Sequence, residues 1–293
     1  MQVPAPFGYE RATSVEEALA LLEEHGPEAR LLAGGHSLLP MMKLRLASPE
    51  YVIDIDPLAD ALGYVDAGPA EVRIGAMTRH NALLESAFLR QNLSIFTDAE
   101  RVIADPVVRN RGTIGGALCQ ADPSEDLSAV CAAVKAKLVI RGTHTERVVD
   151  MHEFHRGPYE TAVGPAEMLV EIRVPVVASS GSAYLKVDRR VGDWAVVAAG
   201  AALTLDDDGV ITRAGLALAA VGGDITAREA EQALIGERAA PSTFAHAARL
   251  AQSACEPVTD QRGSADYKRH VVGVLTERVL ARATERALPK KEE

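Results

Sequence analysis

The sequence has few cysteines, and their arrangement does not suit metal binding. Cys119, Cys131 and Cys255 form no Cys-x-x-Cys pair and no set of four ligands. Iron–sulfur clusters and structural zinc sites require such sets, so we predict neither on this chain. His152 and His155 are one residue closer together than the histidines of an HExxH zinc motif, and no third ligand is evident. We therefore predict no metal site.

The sequence also lacks a basic excess and long apolar runs. Its 31 Lys and Arg residues stand against 41 Asp and Glu residues, which gives a formal net charge of −10. A nucleic-acid-binding protein normally presents a basic face, so we expect no nucleic-acid partner. No charged-then-apolar N-terminal segment and no run of about 18 apolar residues occurs. We expect a cytoplasmic protein that reaches the inner face of a membrane only through its partners.

Motifs of common nucleotide-binding and hydrolytic sites are absent as well. The sequence contains no GxGxxG fingerprint of a standard Rossmann site and no GxSxG nucleophile elbow. No nucleophile, base and acid stand out as a set. We therefore predict no catalytic side chain on this chain and expect the chemistry to reside in a cofactor.

The sequence does contain two glycine motifs, Ala33-Gly-Gly-His-Ser37 and Thr113-Ile-Gly-Gly116, and each follows a strand-like run. Glycine has no Cβ, so backbone N–H groups there can approach a phosphate closely, above all at a helix N-terminus. Either motif alone is equally consistent with a tight turn or a glycine bend in a sheet. Together they favour a dinucleotide held between two loops, with the Thr113 hydroxyl and the glycine amides on a diphosphate oxygen.

Three further residues are candidate cofactor contacts, each with a structural alternative. Asp126, near a predicted helix start, would bind a ribose hydroxyl or simply favour the helix N-terminus. Lys186 would stabilise negative charge on a reduced flavin, or would belong to a solvated basic patch with Arg189 and Arg190. Trp194, the only tryptophan, would stack near a flavin or lie in the core.

The pattern of apolar and polar residues predicts an α+β fold with two domains. Pro175 to Gly181, with its proline and serines, is the predicted boundary, so we expect domains over 1–176 and 177–288. Within the first, Ser14 and Glu17 predict a capped helix over 14–25. Strands over 29–33 and 51–55 predict a small parallel βαβ unit. This unit would form a subdomain of about 1–57, followed by a second one over 58–176.

The second subdomain and the C-terminal domain show different strand patterns. Strands over 71–76, 137–140, 147–149 and 168–174 predict a mixed sheet. Strands over 182–187, 194–205 and 210–219 predict an antiparallel sheet, with a hairpin turn at Asp206–Gly209. Helices are predicted over 226–234, 241–255 and 264–287, before a frayed tail over 289–293.

Three stretches of sequence resemble the FAD-binding subunits of molybdenum hydroxylases. They are LAGGHSLLPMMKLR (residues 32–45), DPVVRNRGTIGG (residues 105–116) and ADPSED (residues 121–126). The resemblance extends over essentially the whole chain, and the two glycine motifs together are highly specific for the FAD subunit. Within the family, the chain looks like the medium subunits of aerobic carbon monoxide dehydrogenases. Relatives that serve xanthine, nicotine or aldehyde hydroxylases share the same motifs.

The resemblance implies a fold and a set of cofactor contacts. The fold is a two-subdomain FAD-binding domain of the vanillyl-alcohol-oxidase (PCMH) type, followed by a smaller domain of antiparallel sheet and helices. Residues 31–38 and 113–116 would wrap the FAD diphosphate, and the other implied contacts are near the adenosine or the flavin. The implied FAD contacts are Leu31, Leu32, Ala33, Gly34, Gly35, His36, Ser37, Leu38, Ile103, Thr113, Ile114, Gly115, Gly116, Asp126, Leu169, Lys186 and Trp194.

Individual positions carry different implied roles. By resemblance, Ile103 lies near the cofactor and Asp126 contacts its adenosine part. Leu169 and Lys186 lie beside the flavin ring, and Trp194 occupies a position where relatives often carry Tyr or Phe. Many relatives continue the second motif as TIGGN, whereas Ala117 stands here in place of that asparagine. We expect FAD binding to survive this loss, because the backbone of the motif is unchanged.

The resemblance also implies partners and an electron path. A large molybdenum subunit would oxidise the substrate, and a small subunit with two [2Fe-2S] clusters would pass electrons to the FAD of this chain. A quinone would then accept the electrons, and the complex would be a dimer of heterotrimers, a heterohexamer. Carbon monoxide is the expected substrate, with xanthine, an aldehyde or an N-heterocycle as alternatives. Less favoured interpretations are a stand-alone flavin oxidase, with His36 as a covalent tether, and a scaffold that has lost FAD.

Overall fold

The chain begins with a small parallel layer. The computed structural model describes residues 3–288, so the predicted fraying over 289–293 falls outside the described residues. The elements of this layer are β1 (Gly8–Arg11), α1 (Val15–His25), β2 (Ala29–Leu32), α2 (Leu38–Lys43) and β3 (Tyr51–Asp54). The strand order is β1-β3-β2 and both pairings are parallel, which confirms the predicted βαβ unit. The Ser14 hydroxyl caps α1 by accepting the Glu17 N–H at 3.1 Å, as predicted.

A five-stranded sheet forms the middle of the molecule. Its strands, with a short hairpin of β8 and β9 beside them, are β4 (Val65–Ala67), β5 (Glu71–Gly75), β6 (Lys137–Gly142), β7 (Glu146–Asp150), β8 (His155–Gly157), β9 (Glu160–Thr161) and β10 (Glu167–Pro175). The order is β4-β5-β10-β6-β7 and every pairing is antiparallel, so the prediction of a mixed sheet was wrong. The short loops between β4 and β5 and between β6 and β7 allow only hairpins, because a parallel pair needs a long crossover.

Helices between β5 and β6 carry the second glycine motif. With the short helices on either side of this stretch, they are α3 (Ala59–Leu62), α4 (His80–Glu85), α5 (Ala87–Asn92), α6 (Ser94–Glu100), α7 (Pro106–Arg111), α8 (Ile114–Gln120), α9 (Asp126–Ala133) and α10 (Met151–Phe154). The run before Thr113 is therefore helix α7 and not a strand, which corrects the prediction. The Asp105 carboxylate caps α7 by accepting the Val108 N–H at 2.9 Å, and Pro106 occupies its first turn.

The C-terminal part is an antiparallel sheet covered by helices. Its elements are β11 (Ser180–Val187), β12 (Val197–Leu205), β13 (Ile211–Ala219), α11 (Arg228–Leu234), α12 (Pro241–Ala254) and α13 (Ala265–Ala287). The three strands pair in sequence order, as predicted, although β12 begins three residues later than expected. The Asp206 carboxylate accepts the Asp208 and Val210 N–H groups and so holds the predicted hairpin turn.

The core crosses the predicted domain boundary. The largest buried cluster extends from Val72 to Ala219 and includes Tyr184 and Ala198 of the C-terminal sheet. A second cluster lies between that sheet and α11, α12 and α13, and a third lies under α1. The shared cluster ties the C-terminal sheet to the middle of the molecule. Among residues 3–288, no helix is both long and apolar enough to cross a membrane.

Candidate cofactor site

A deep cavity lies where the N-terminal layer meets the middle sheet and helices α7 to α9. Its volume is about 790 Å³. The residues implicated by sequence line it with two exceptions, Ile114, which is fully buried, and Lys186. The predicted residues on its wall are Leu31, Leu32, Ala33, Gly34, Gly35, His36, Ser37, Leu38, Ile103, Thr113, Gly115, Gly116, Asp126, Leu169 and Trp194. Residues far apart in sequence thus converge on one cavity.

The first glycine segment, residues 33–38, presents unengaged backbone donors to this cavity. Within the described chain, no residue accepts a hydrogen bond from the N–H groups of residues 34–38. Gly35 has a φ of +75°, a left-handed conformation that glycine adopts without strain. The Ser37 hydroxyl does not cap helix α2, and His36 Nδ1 lies 2.9 Å from the Gly34 carbonyl oxygen. A run of free amides at the start of a helix suits an anion.

The second glycine segment, residues 112–117, engages most of its backbone donors within the protein, and among the described residues only its Thr113 N–H has no acceptor. The Gly115 N–H donates to the Ala76 carbonyl oxygen at 2.9 Å, and the Gly116 N–H donates to Thr113 Oγ1 at 3.1 Å. Thr113 is the N-cap of helix α8, and its hydroxyl proton is free to point elsewhere. This segment thus faces the cavity with a threonine hydroxyl and a glycine surface that has no side chain.

The two segments touch each other directly. A Cβ added to Gly34 would collide with the Arg111 carbonyl oxygen and lie 2.7 Å from Gly112 Cα. An ion-pair cluster holds this contact, because Arg79 binds both Asp56 and the Arg111 carbonyl oxygen. The Arg111 guanidinium also pairs with Asp56 at 3.3 Å. Glycine at position 34 is therefore required for this contact, and the ion pairs hold Arg111 on the other side of it.

Asp126, on the cavity wall, pairs with Lys186, which lies behind it. Lys186 Nζ donates to Asp126 Oδ2 at 2.9 Å, and Tyr184 Oη donates to Oδ1 at 2.6 Å. The Lys186 side chain is 1% exposed, so it does not belong to a solvated patch, whereas Arg189 and Arg190 are exposed. Burial raises the pKa of the Asp126 carboxyl despite the charge of Lys186. The contact unites two residues that the resemblance assigns to opposite ends of the cofactor.

Trp194 lies at the rim of the cavity. It is 44% exposed, so it is not a core residue. Its neighbour Gly192 has a φ of +78° and packs against the Ala104 backbone. Ile103 and Leu169, by contrast, are nearly buried and supply apolar wall. The cavity therefore has a polar end at the first glycine segment and an apolar surface that ends at an exposed indole.

Sequence reasoning missed two buried polar groups on the wall, His80 and Glu125. His80 Nδ1 lies 3.0 Å and 3.1 Å from the two carboxylate oxygens of Glu100. Burial alone would lower the pKa of the His80 imidazole, but the charge and hydrogen bond of Glu100 outweigh burial and raise it. Burial also raises the pKa of Glu125 to about 7. No local pattern marks these residues, because their partners are distant in sequence or belong to an ordinary helix cap.

Comparison with known proteins places the chain in a family. Residues 5–177 match the FAD binding domain in molybdopterin dehydrogenase, and residues 182–283 match the CO dehydrogenase flavoprotein C-terminal domain. The chain is 42% identical to the carbon monoxide dehydrogenase medium chain of Hydrogenophaga pseudoflava, over 95% of this chain and 97% of that one. It is 37% identical to the 6-hydroxypseudooxynicotine dehydrogenase complex subunit alpha of Paenarthrobacter nicotinovorans, over 99% and 98% of the two chains.

A solved structure agrees with these matches. The structure of the present chain is similar to that of a chain of the Hydrogenophaga pseudoflava carbon monoxide dehydrogenase that lacks the Mo-pyranopterin moiety. The TM-score is 0.92 and the identity 41%, with 97% of this chain and 99% of that chain covered. Fold and sequence therefore agree over nearly the full length of both chains. The chain belongs to the family of FAD-binding subunits of molybdopterin dehydrogenases.

Proposed function

We propose that this chain is the FAD-carrying electron-transfer subunit of a molybdenum hydroxylase of the aerobic carbon monoxide dehydrogenase type. The overall reaction would convert CO and water to CO2, two protons and two electrons. The observation that carries the proposal is the cavity with five unengaged amides at residues 34–38. The similarity to carbon monoxide dehydrogenase medium chains supports the choice of enzyme.

The residues of the cavity fit FAD. A volume of about 790 Å³ is within the range of cofactor sites, and its wall combines apolar side chains with a small number of polar groups. The free amides of the first glycine segment would hold the diphosphate, with the Thr113 hydroxyl as a further donor. Ile103 and Leu169 would contact apolar ring surface, and Trp194 would shield the cofactor at the rim. Bound FAD would supply the capacity to exchange electrons singly or in pairs.

The chain would act through partners, since its relatives are medium chains or subunits of multi-subunit dehydrogenases. A large molybdenum subunit would oxidise the substrate, and a small [2Fe-2S] subunit would deliver electrons to this chain. The assembly would be a dimer of heterotrimers in the cytoplasm, and a quinone would accept its electrons. This division of labour agrees with the scattered cysteines, because Cys131 and Cys255 are buried whereas Cys119 is exposed.

A second candidate is the same role beside a different molybdenum subunit. The 37% identity to a 6-hydroxypseudooxynicotine dehydrogenase subunit is close to the identity with carbon monoxide dehydrogenase chains. The substrate would be chosen on the molybdenum subunit, so the two candidates share every residue of the present cavity. A stand-alone oxidase with FAD tethered to His36 is disfavoured, because the similar chains are medium chains or subunits of multi-subunit dehydrogenases.

The experiment that tests this function is purification of the chain with its natural partners. We expect a visible spectrum of flavin and iron–sulfur centres, release of free FAD on denaturation, and bleaching of the flavin by CO. Bleaching by an N-heterocycle or an aldehyde but not by CO would select the second candidate. A complex that contains every subunit but no flavin would overturn the assignment of FAD to this chain.

A further inference from the structure

A chain of three polar side chains leads from the cavity wall into the protein. Glu125 lines the cavity and is 7% exposed. The Ser128 hydroxyl lies 2.5 Å from Glu125 Oε2 and 3.1 Å from His155 Nε2. His155, on strand β8, is half-buried and does not line the cavity. One hydroxyl therefore bridges a carboxyl group and an imidazole that are 30 residues apart in sequence.

The bridge permits two arrangements of a single proton. A serine hydroxyl has one hydrogen and can accept another hydrogen bond at the same time. With the proton on Glu125, the carboxyl donates to Ser128 and the hydroxyl donates to His155 Nε2. With the proton on His155, the imidazolium donates to Ser128 and the hydroxyl donates to the Glu125 carboxylate. Moving from one arrangement to the other requires only that two hydrogens shift along existing hydrogen bonds.

Burial brings the proton affinities of the two ends together. It raises the pKa of Glu125 to about 7, even though the Leu127 and Ser128 N–H groups donate to this carboxylate. It lowers the pKa of His155, although the Leu118 carbonyl hydrogen-bonds the ring. The pKa of a free carboxyl lies about two units below that of a free imidazole, and these opposite shifts remove that gap, so the proton no longer prefers the imidazole.

The groups around Glu125 make this site sensitive to added charge. Asp126 follows it as the first residue of α9, and Cys131 lies about a turn and a half further along that helix. Tyr184 of β11 and His80 of α4 also interact with its charge. Glu100 pairs with His80, and Lys186 pairs with Asp126, so those charges are compensated locally. No cation pairs with Glu125 directly among the described residues, so its ionisation responds to charge in the cavity.

We propose that Glu125, Ser128 and His155 form a proton store that takes up one proton when the cofactor in the cavity is reduced. The inference rests on the proposed function, since FAD is the group that would gain electrons there. The electrons come from the iron–sulfur partner, and the proton comes from water. An O–H bond of hydronium breaks and leaves water, while a new O–H or N–H bond forms on the Glu125–His155 pair, and no other bond changes. This proton offsets the negative charge that reduction of the cofactor adds to the cavity beside Glu125.

The first test follows His155 by NMR in the full chain labelled at histidine. The His155 signal is assigned by its loss in His155→Gln. We expect Glu125→Gln to lower the midpoint of His155 protonation by about one pH unit, a tenfold change, because a negative partner is removed. Ser128→Ala keeps the helix cap of Glu125 and should shift the midpoint in the same direction. An unchanged midpoint in both variants would overturn the proposal.

The second test measures the flavin reduction potential against pH in the complete complex. Near neutral pH, the wild-type flavin site should take up more protons on reduction than His155→Gln or Ser128→Ala, by up to one proton. His152→Gln is the matched control, because His152 is exposed on the adjacent helix α10 and lies away from the cavity. A flavin reduction potential with the same pH dependence in the wild type and all variants would overturn the proton store and leave the proposed function intact. A complex without flavin would overturn both.

Discussion

The two glycine segments look alike in sequence but work differently in the structure. In the first, the N–H groups of residues 34–38 are free and Gly35 has a positive φ. In the second, the N–H groups of Gly115 and Gly116 already donate to Ala76 and Thr113. The first segment therefore supplies hydrogen-bond donors to the cavity. The second supplies a glycine surface against which the first packs.

The difference shows that a paired glycine motif does not imply a pair of amide sites. Gly34 is needed because the Arg111 carbonyl lies where its Cβ would be, and Gly115 is needed because Ala76 lies there. Both are requirements of close packing, which brings the chain segments together. Among the described residues, that packing leaves the five neighbouring donors of residues 34–38 free at the first segment and only the Thr113 N–H at the second. Substitutions in the two segments should therefore affect cofactor binding and stability in different proportions.

The largest effect is expected for Gly34→Ala. The new methyl group would push the first glycine segment away from Arg111 and Gly112 and so distort the free amides. We expect at least a hundredfold loss of FAD affinity, about 3 kcal/mol, measured by titration of the flavin-free chain with FAD. Gly157→Ala is the control, because its Cβ would meet nothing closer than a glutamate oxygen at 3.7 Å. Equal FAD affinity in Gly34→Ala and Gly157→Ala would contradict the role of the first glycine segment as the donor to the cofactor.

Gly115→Ala should mainly lower stability. Its Cβ would lie 2.6 Å from the Ala76 carbonyl oxygen, which would strain the contact between helix α8 and the end of strand β5. We expect the free energy of unfolding to fall by about 1–3 kcal/mol, measured by denaturant unfolding. FAD affinity of the folded protein should fall much less than in Gly34→Ala. The opposite pattern, with stability kept and FAD affinity lost, would contradict the assignment.

Thr113→Ala should have a smaller effect through the N-cap of α8. Loss of the bond from the Gly116 N–H to Thr113 Oγ1 leaves a helix donor without its partner. We expect a loss of about 1 kcal/mol in the free energy of unfolding. Thr113→Ser keeps the hydroxyl and should restore most of it. If serine and alanine behave alike in thermal unfolding, the hydroxyl has no capping role.

Asp56→Asn is expected to have the smallest effect. Burial alone would raise the pKa of Asp56, but the Arg79 hydrogen bond and the charges of Arg111 and Arg79 lower it overall. A lowered pKa adds stability above the ordinary carboxyl value of 3.8, and this is lost as pH falls further. The free energy of unfolding of the wild type should exceed that of Asp56→Asn by less than about 1 kcal/mol at neutral pH, because the ion pair is partly exposed. The two unfolding curves should converge in acid, and a constant gap down to pH 2 would refute the ion-pair origin.

Local sequence patterns were enough to predict most strands and the long helices. Ser14 and Glu17 marked the first helix, and Asp206 marked the hairpin between β12 and β13. These signals work because caps and turns are satisfied within a few residues. The run before Thr113 misled the prediction, since a segment expected to be strand-like is helix α7, which Asp105 and Pro106 begin. The same residues favour both outcomes, and only the surrounding packing decides between them.

The cavity wall was predicted in large part by resemblance, but its chemistry was not. Nothing near Lys186 in sequence indicates that it is buried against Asp126, 60 residues earlier. His80 and Glu100 pair across 20 residues, and Glu125 reaches His155 only through Ser128. Burial and long-range partners set the protonation of these groups, so neither could be read from the pattern of the sequence.

The sequence by itself determined where most strands and the long helices form, that glycine stands at the two close approaches, and that the three cysteines are scattered. Those properties depend on residue type and on neighbours within a turn or two. The tertiary structure decided which glycine segment keeps free amides, which way the strands of the middle sheet pair, and which carboxyl groups are buried. Each of these depends on which distant segment packs alongside, since a backbone amide or a charge is free or engaged only according to the partner that folding brings to it.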